Sequence, residues 1–172
     1  MPVHDWLSQR MLFIYGAALC CALMASALVL QHSLNLEPCP LCIVQRTLVI
    51  GLGAVMLIGA LHNPQGAAAK VYAVVILLIA SAGVVVAGRH VWLQHLPADE
   101  VPECGPGLQY MLDAFPLNET FAMVFKGSGE CAEVQWRFIG LSIPEWTLIL
   151  FLGLCAFGAY LLVAKNRRGR AV

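Results

Sequence analysis

Hydrophobic residues fill four stretches of this chain almost without interruption, and polar residues collect between them. Residues 11–30, 71–88 and 146–164 carry no charge, and residues 43–61 are equally apolar apart from Arg46, one turn inside their start. At about 1.5 Å rise per residue, a helix of each length comes close to the roughly 30 Å hydrocarbon core of a bilayer. None of the stretches alternates with the two-residue period of barrel strands, and a chain in lipid must satisfy its backbone within helices or a closed barrel. The pattern predicts an all-α integral membrane protein, a four-transmembrane-helix bundle forming one domain over residues 1–172. Residues 31–42 and 62–70, the latter marked by Asn63-Pro64 and Gly66, are short connections, and residues 89–145 are a long one. In the long connection Leu108, Met111, Leu112 and Phe115 recur at helical spacing. They predict a short amphipathic helix ending near Pro116, with Phe121, Val124 and Phe125 continuing its apolar character along the membrane surface.

Composition agrees. Of 172 residues 60% are hydrophobic and 12% charged, against about 45–50% apolar and about 25% charged in soluble domains. The net charge of +0 offers no electrostatic footprint for nucleic acid. Basic residues orient the spans. With both termini inside, Arg10, Lys70, Lys165, Arg167, Arg168 and Arg170 fall on the cytoplasmic side, and Arg46, Arg89, Lys126 and Arg137 on the outer side. The C-terminal basic cluster reads as a stop-transfer flank. Ala25-Ser26-Ala27 resembles a cleavage site, but residues 11–30 outrun the typical 7–15-residue core of a signal peptide and have a weak basic lead, so they read as a retained span. Trp92, Trp136 and Trp146 read as interfacial belt residues.

The seven cysteines sort into two kinds. Cys20, Cys21 and Cys155 lie inside spans and read as packing residues, a thiol there behaving as a small hydrophobe. Cys39, Cys42, Cys104 and Cys131 fall in the two outer connections, two in each. That is the oxidising side of a bacterial inner membrane, where disulfides persist. Cys39-Pro40-Leu41-Cys42 is a C-x-x-C at a helix N-terminus, with Pro38 and Pro40 stiffening the entry. The helix dipole, unpaired backbone N–H groups and Arg46, four residues beyond Cys42, are each expected to lower a thiol pKa there. Thiolate is the attacking and leaving species of disulfide exchange. Arg46 reads as functional rather than a snorkelling anchor: its head would stabilise a thiolate or donate to a carbonyl of a bound ring. Ile43 excludes the C-x-x-C-H haem pattern. Cys104 and Cys131, with 26 residues between them in Gly- and Pro-rich mobile loop sequence, leave three readings open. They form a redox pair, a structural bridge, or half of a tetrahedral thiolate metal site, although structural zinc usually wants a second close pair.

Several motifs together resemble the DsbB family, the quinone-linked oxidases of the bacterial inner membrane. They are Pro38-Cys39-Pro40-Leu41-Cys42 with Gln45-Arg46, Cys104, Gly129-Glu130-Cys131-Ala132-Glu133 with Gln135-Trp136, and Pro144-Glu145-Trp146 opening the last span. The resemblance covers nearly the whole chain. It implies that a DsbA-like periplasmic thiol oxidase attacks a Cys104–Cys131 disulfide and joins Cys104. The freed Cys131 then exchanges with Cys39, and Cys42 leaves as a thiolate facing a quinone, ubiquinone or menaquinone. It further implies that Arg46 stabilises that pair and that His90 and Gln94 lie near the quinone pocket. The energetics constrain the route. A structural disulfide lies below about −300 mV and DsbA near about −120 mV, so oxidising DsbA from such a bridge is uphill by about 180 mV, roughly 8 kcal/mol. Labile bridges and a strong terminal oxidant are therefore required. The reading from another class is a non-catalytic four-span scaffold with two structural disulfides.

Overall fold

The computed structural model describes residues 9–35, 38–97, 99–103, 105 and 108–163. Cys104 and the basic positions Lys165, Arg167, Arg168 and Arg170 lie outside the described residues. Four long helices dominate: α1 (Gln9–Leu34), α2 (Pro40–His62), α3 (Ala67–Gln94) and α7 (Ile143–Val163). All four are long and apolar enough to cross a membrane. Between α3 and α7 lie α4 (Leu108–Ala114), α5 (Leu117–Lys126), the single turn α6 (Gly129–Ala132), and two-residue strands β1 (Arg137–Phe138) and β2 (Leu141–Ser142).

The long helices pack in the order α1, α2, α3, α7, each on the next. Small residues set how closely they approach. Along α3 the buried positions Ala69, Ala73, Ile76, Ala80, Gly83, Ala87 and His90 alternate in steps of four and three, one face of a helix built mostly of alanine and glycine. Lipid tails are as apolar as leucine, so such helices gain from close van der Waals contact rather than from leaving water. Phe151 of α7 fills the notch at Gly83, where an added Cβ would fall 2.3 Å from the ring. Phe13 of α1 is fully buried and meets Tyr72 of α3 and Phe157 of α7 edge-on at 5.9 and 6.1 Å. The stripe that packs α3 also turns His90 inward near the end of the helix, one turn before the buried Leu93.

The structure alters several boundaries. The third span extends past Arg89 through His90 to Gln94, so both of these site candidates stand on a helix rather than in a loop. The charge at Arg89 does not end the helix because its guanidinium is satisfied: it donates to the carbonyls of Phe125 and Lys126 at 3.0 and 2.9 Å and lies 4.2 Å over the Trp92 ring. The amphipathic segment forms two helices, α4 and α5, broken at Phe115-Pro116. Its stripe is divided, since Met111 and Val124 are buried against Cys39, Leu41, Leu93 and Cys131, while Leu112, Phe121 and Phe125 stay exposed. Cys131, expected in mobile loop, is fully buried inside α6. Of the three cysteines read as packing residues, Cys20 is buried and Cys155 half-buried, but Cys21 is exposed on the outside of α1. The antiparallel pair β1–β2 closes through Ile139 and Gly140, both at positive φ, as a tight hairpin requires. It stacks Trp136 on Phe138 and ties Trp146 Nε1 to the Phe138 carbonyl at 3.1 Å.

The Gly83 notch has a matched control in Gly51, where nothing lies within 4 Å of an added Cβ. Gly83→Ala is expected to destabilise the bundle by about 1–3 kcal/mol through overpacking against Phe151. Gly51→Ala, gaining helix propensity without a clash, should be neutral or stabilising by up to about 1 kcal/mol. Thermal unfolding of both variants in detergent separates the two effects.

Candidate functional site

Chemistry-bearing side chains gather at one end of the bundle, where α2 begins and α3 ends. Pro40 sits in the first turn of α2, where its missing N–H is no loss. That leaves Cys39 as the N-cap, its backbone extended at φ −65° and ψ 163°, with Sγ accepting the Cys42 N–H at 3.4 Å. Cys42 is half-buried, one turn in. The two-residue spacing of the C-x-x-C thus puts both sulfurs on the first turn, Cys39 inward and Cys42 nearer the edge.

The third thiol arrives from the long connection. Cys131 packs with Cys39 in one buried cluster, close enough for the two sulfurs to perturb each other. Its own N–H bonds to the Ser128 carbonyl at 2.9 Å, and the Ser128 hydroxyl lies 3.8 Å from its sulfur. Two contacts with α3 hold this turn down. Arg89 caps the C-terminus of α5, a favourable place for a cation. Gly127, at φ +82°, presses on Leu93, where any Cβ would fall 2.4 Å from a methyl carbon. The chain flanking Cys104 is tied to the same turn: Gly129 N–H donates to the Glu103 carbonyl at 3.3 Å, and Gly105 borders Ser128 and Met111.

This crowding reverses one expectation. The position at a helix N-terminus is expected to lower the Cys39 pKa, yet the thiol is pushed up to about 12. The contact with Cys131 does pull it down, but the neighbouring Cys42 sulfur and burial outweigh that pull. Cys131 is raised further still, first by its contact with Cys39 and then by burial. Three sulfurs this close, away from water, resist charge on any but one of them.

His90 is buried behind the thiols, its Nε2 3.7 Å from Cys39 Sγ and its Nδ1 3.0 Å from Gln45 Nε2. Gln45 is also buried, and its Oε1 accepts the Thr147 hydroxyl of α7 at 2.6 Å. Arg46 does not point at the thiols alone, for its guanidinium donates to Gln31 Oε1 near the end of α1. Gln94 accepts the Ser142 hydroxyl at 2.7 Å, fastening the end of α3 to β2. Cys39, Cys42, His90 and Gln94 together line a small cleft of about 30 Å³, closed by Glu130, Trp136, Ile143 and Pro144 among others. One ligand atom each of Cys39, Cys42 and His90 falls within 4.8 Å of the others, the spacing of a metal site. The structure therefore joins Cys39, Cys42, Cys131 and His90 in one cluster, with Gln94 on the cleft wall and Arg46 one turn beyond Cys42.

Gln45, Thr147, Gln31 and Arg89 were not singled out as site residues by sequence reasoning. Gln45 carried a readable signal. On α2 the inward positions run Leu41, Gln45, Val49, Leu52 and Met56, and a lone amide in such a row needs a partner in the bundle. Which partner is a tertiary matter.

The family model described as Disulfide bond formation protein DsbB matches residues 9–161 of this chain. A disulfide bond formation protein B of Nitrosococcus oceani is 56% identical over 146 residues, 85% of this chain and 86% of the relative. Similar proteins of the same name from Methylococcus capsulatus and Hahella chejuensis are 51% and 48% identical, covering 87% and 94% of this chain and 92% and 98% of theirs. The clustered thiols at the end of four membrane-length helices thus sit in a multi-pass membrane oxidoreductase that belongs to the DsbB family.

Proposed function

We propose that this protein reoxidises a DsbA-like dithiol oxidase in the periplasm and delivers the electrons to a membrane quinone, with both termini cytoplasmic and the cysteine connections periplasmic. The observation that carries the reading is the contact of Cys131 with Cys39, beside Cys42. It joins two connections, through cysteines 92 positions apart, into one exchange centre, which a scaffold with two independent bridges has no need to build. Family membership favours the oxidoreductase on separate grounds.

In the resting protein Cys104 pairs with Cys131 and Cys39 with Cys42. A thiolate of the reduced partner attacks Cys104, forming a mixed disulfide and expelling Cys131 as thiolate. The hydrogen bond holding Glu103 beside Gly129 keeps the two loop segments together for this step. Cys131 attacks Cys39, the bond to Cys42 breaks, and Cys42 takes the electron pair. The partner's second thiolate then resolves the mixed disulfide, leaving oxidised partner and a free Cys104 thiolate. Attack of Cys104 on Cys131 restores the loop bridge and expels Cys39. Two electrons now reside on the Cys39–Cys42 pair. The geometry suits these exchanges because Cys131 needs no large movement to reach Cys39.

The donor set fits a quinone. The Cys42 sulfur is half-buried with the Arg46 cation one turn along, and His90 and Gln94 line the cleft beside it. These four would hold the head group, which supplies the two-electron acceptor when bound. Arg46 donates to Gln31 Oε1, which holds its guanidinium against the end of α1.

Purified protein is expected to oxidise a DsbA-like dithiol only when quinone is supplied, and Cys42→Ser to reduce that rate to background. Cys131→Ser should lose turnover with the protein partner while a small dithiol still reduces the Cys39–Cys42 bridge; stopped-flow quinone absorbance distinguishes the two. In fully reduced protein, alkylation of Cys39 should be slow at pH 8 and keep rising about tenfold per pH unit toward pH 12. An ordinary thiol levels off near its pKa of about 8.5, because a raised pKa leaves less thiolate at every lower pH. A plateau for Cys39 near pH 9 would contradict the crowded cluster. Arg89→Ala should slow oxidative bridging of Cys39 to Cys131 by about tenfold, since charge-assisted hydrogen bonds contribute about 1.5–3 kcal/mol. Mass mapping of the bridged peptide in a Cys42→Ser, Cys104→Ser background measures it.

A further inference from the structure

The chain of polar groups behind Cys39 has a direction. Thr147 has one hydroxyl proton and three acceptors in reach: Gln45 Oε1 at 2.6 Å, and the Pro144 and Ile143 carbonyls at 2.9 and 3.3 Å. The shortest contact takes it. Gln45 then spends its amide oxygen on Thr147, and its amide nitrogen, 3.0 Å away, is what meets His90 Nδ1. An amide N–H can bond only to a ring nitrogen that carries no proton, and a neutral imidazole holds its single proton on the other nitrogen. That other nitrogen is Nε2, 3.7 Å from Cys39 Sγ. The Cys131 backbone faces the same ring.

The geometry points to Gln45 and Thr147 as positioning residues that lock His90 in the Nε2–H tautomer, so that the ring donates a hydrogen bond to Cys39 whenever that sulfur carries negative charge. In the proposed exchange, on which this assignment's functional meaning rests, Cys39 gains an electron pair when its bond to Cys131 breaks. A donor already aimed at the sulfur stabilises the thiolate without moving a proton and without reorganising a buried site. The same lock sets His90 against holding a metal ion. Ligation by Nε2 needs a bare nitrogen there and an acceptor at Nδ1, whereas Gln45 presents a donor. The pair of residues is distributed over α2 and α7, so the tautomer also reports whether the two helices are seated together.

The test uses reduced, full-length protein with ring-¹⁵N histidine in detergent or nanodiscs, the His90 signals being those lost in a His90→Gln variant. Between pH 6 and 8 they should show a bare Nδ1 and a protonated Nε2. Thr147→Val, which keeps shape and removes the hydroxyl, frees the amide to turn. It should populate the Nδ1–H ring and slow alkylation of Cys39 at pH 8 by about tenfold, the scale of one hydrogen bond to a charged group. Thr147→Ser should restore both readouts, which a purely packing role would not require. Gln45→Met, close to glutamine in size, gives a second route to the same loss. A wild-type ring protonated on Nδ1 overturns the proposal, as does a tautomer unchanged in both Thr147→Val and Gln45→Met. Neither readout involves a protein partner or an electron acceptor. Protein with the expected tautomer that reduces no quinone would count against the proposed function alone, and active protein with the opposite tautomer against this inference alone.

Discussion

Bringing the Cys131 sulfur against Cys39 is the constraint around which the rest of the structure is arranged. Disulfide exchange is a bond-length event, so two loops that merely share one side of a membrane would meet too rarely. Here the meeting is prepaid by four separate contacts: Arg89 on the end of α5, Leu93 in the hollow of Gly127, Glu103 on Gly129, and Val124 with Met111 beneath the turn. None is strong alone. Together they convert an encounter between distant segments into a contact within one packed cluster, the usual gain from pre-organisation.

The apolar bundle sets the second condition. Within it a polar side chain has few partners, and an unpaired one costs more than in water. The polar groups of the long helices are therefore found in pairs or chains at the cysteine end: Arg46 with Gln31, Gln94 with Ser142, and Thr147 through Gln45 to His90. Every long helix contributes, α2 and α3 with two members each. The remainder of the bundle is held mainly by Gly83, Phe151, Phe13 and the alanine face of α3, with polar contacts between His62 and Tyr72 and between Ser81 and Cys155. Chemistry and packing are divided along the bundle axis, and close packing at one end fixes the geometry at the other.

How much of this could be read from residues alone depends on the range of the interaction involved. The four spans were legible because twenty or so uncharged residues in a row have one physical outcome in lipid, whatever their neighbours. The C-x-x-C at a helix start was legible because its spacing and Pro40 act within a single turn. The end of α3 was not, because Arg89 reads as a stop signal until its carbonyl partners on α5, 36 and 37 positions away, are known. Gly127 and Gly129 signal flexibility locally around Cys131, while burial in one cluster with Leu93 and Cys39 removes it.

The thiol chemistry divides the same way. Residue types and spacing determined which helix presents Cys39 and Cys42 and which membrane-length segments support them. Only the tertiary structure decided that Cys39 would have a raised pKa rather than a lowered one, that His90 would stand behind it, and that Gln45 and Thr147 would orient the ring. The reason is that helix dipoles and periodicity act over one turn of one segment, whereas desolvation and hydrogen-bond direction are properties of whatever the other helices bring alongside.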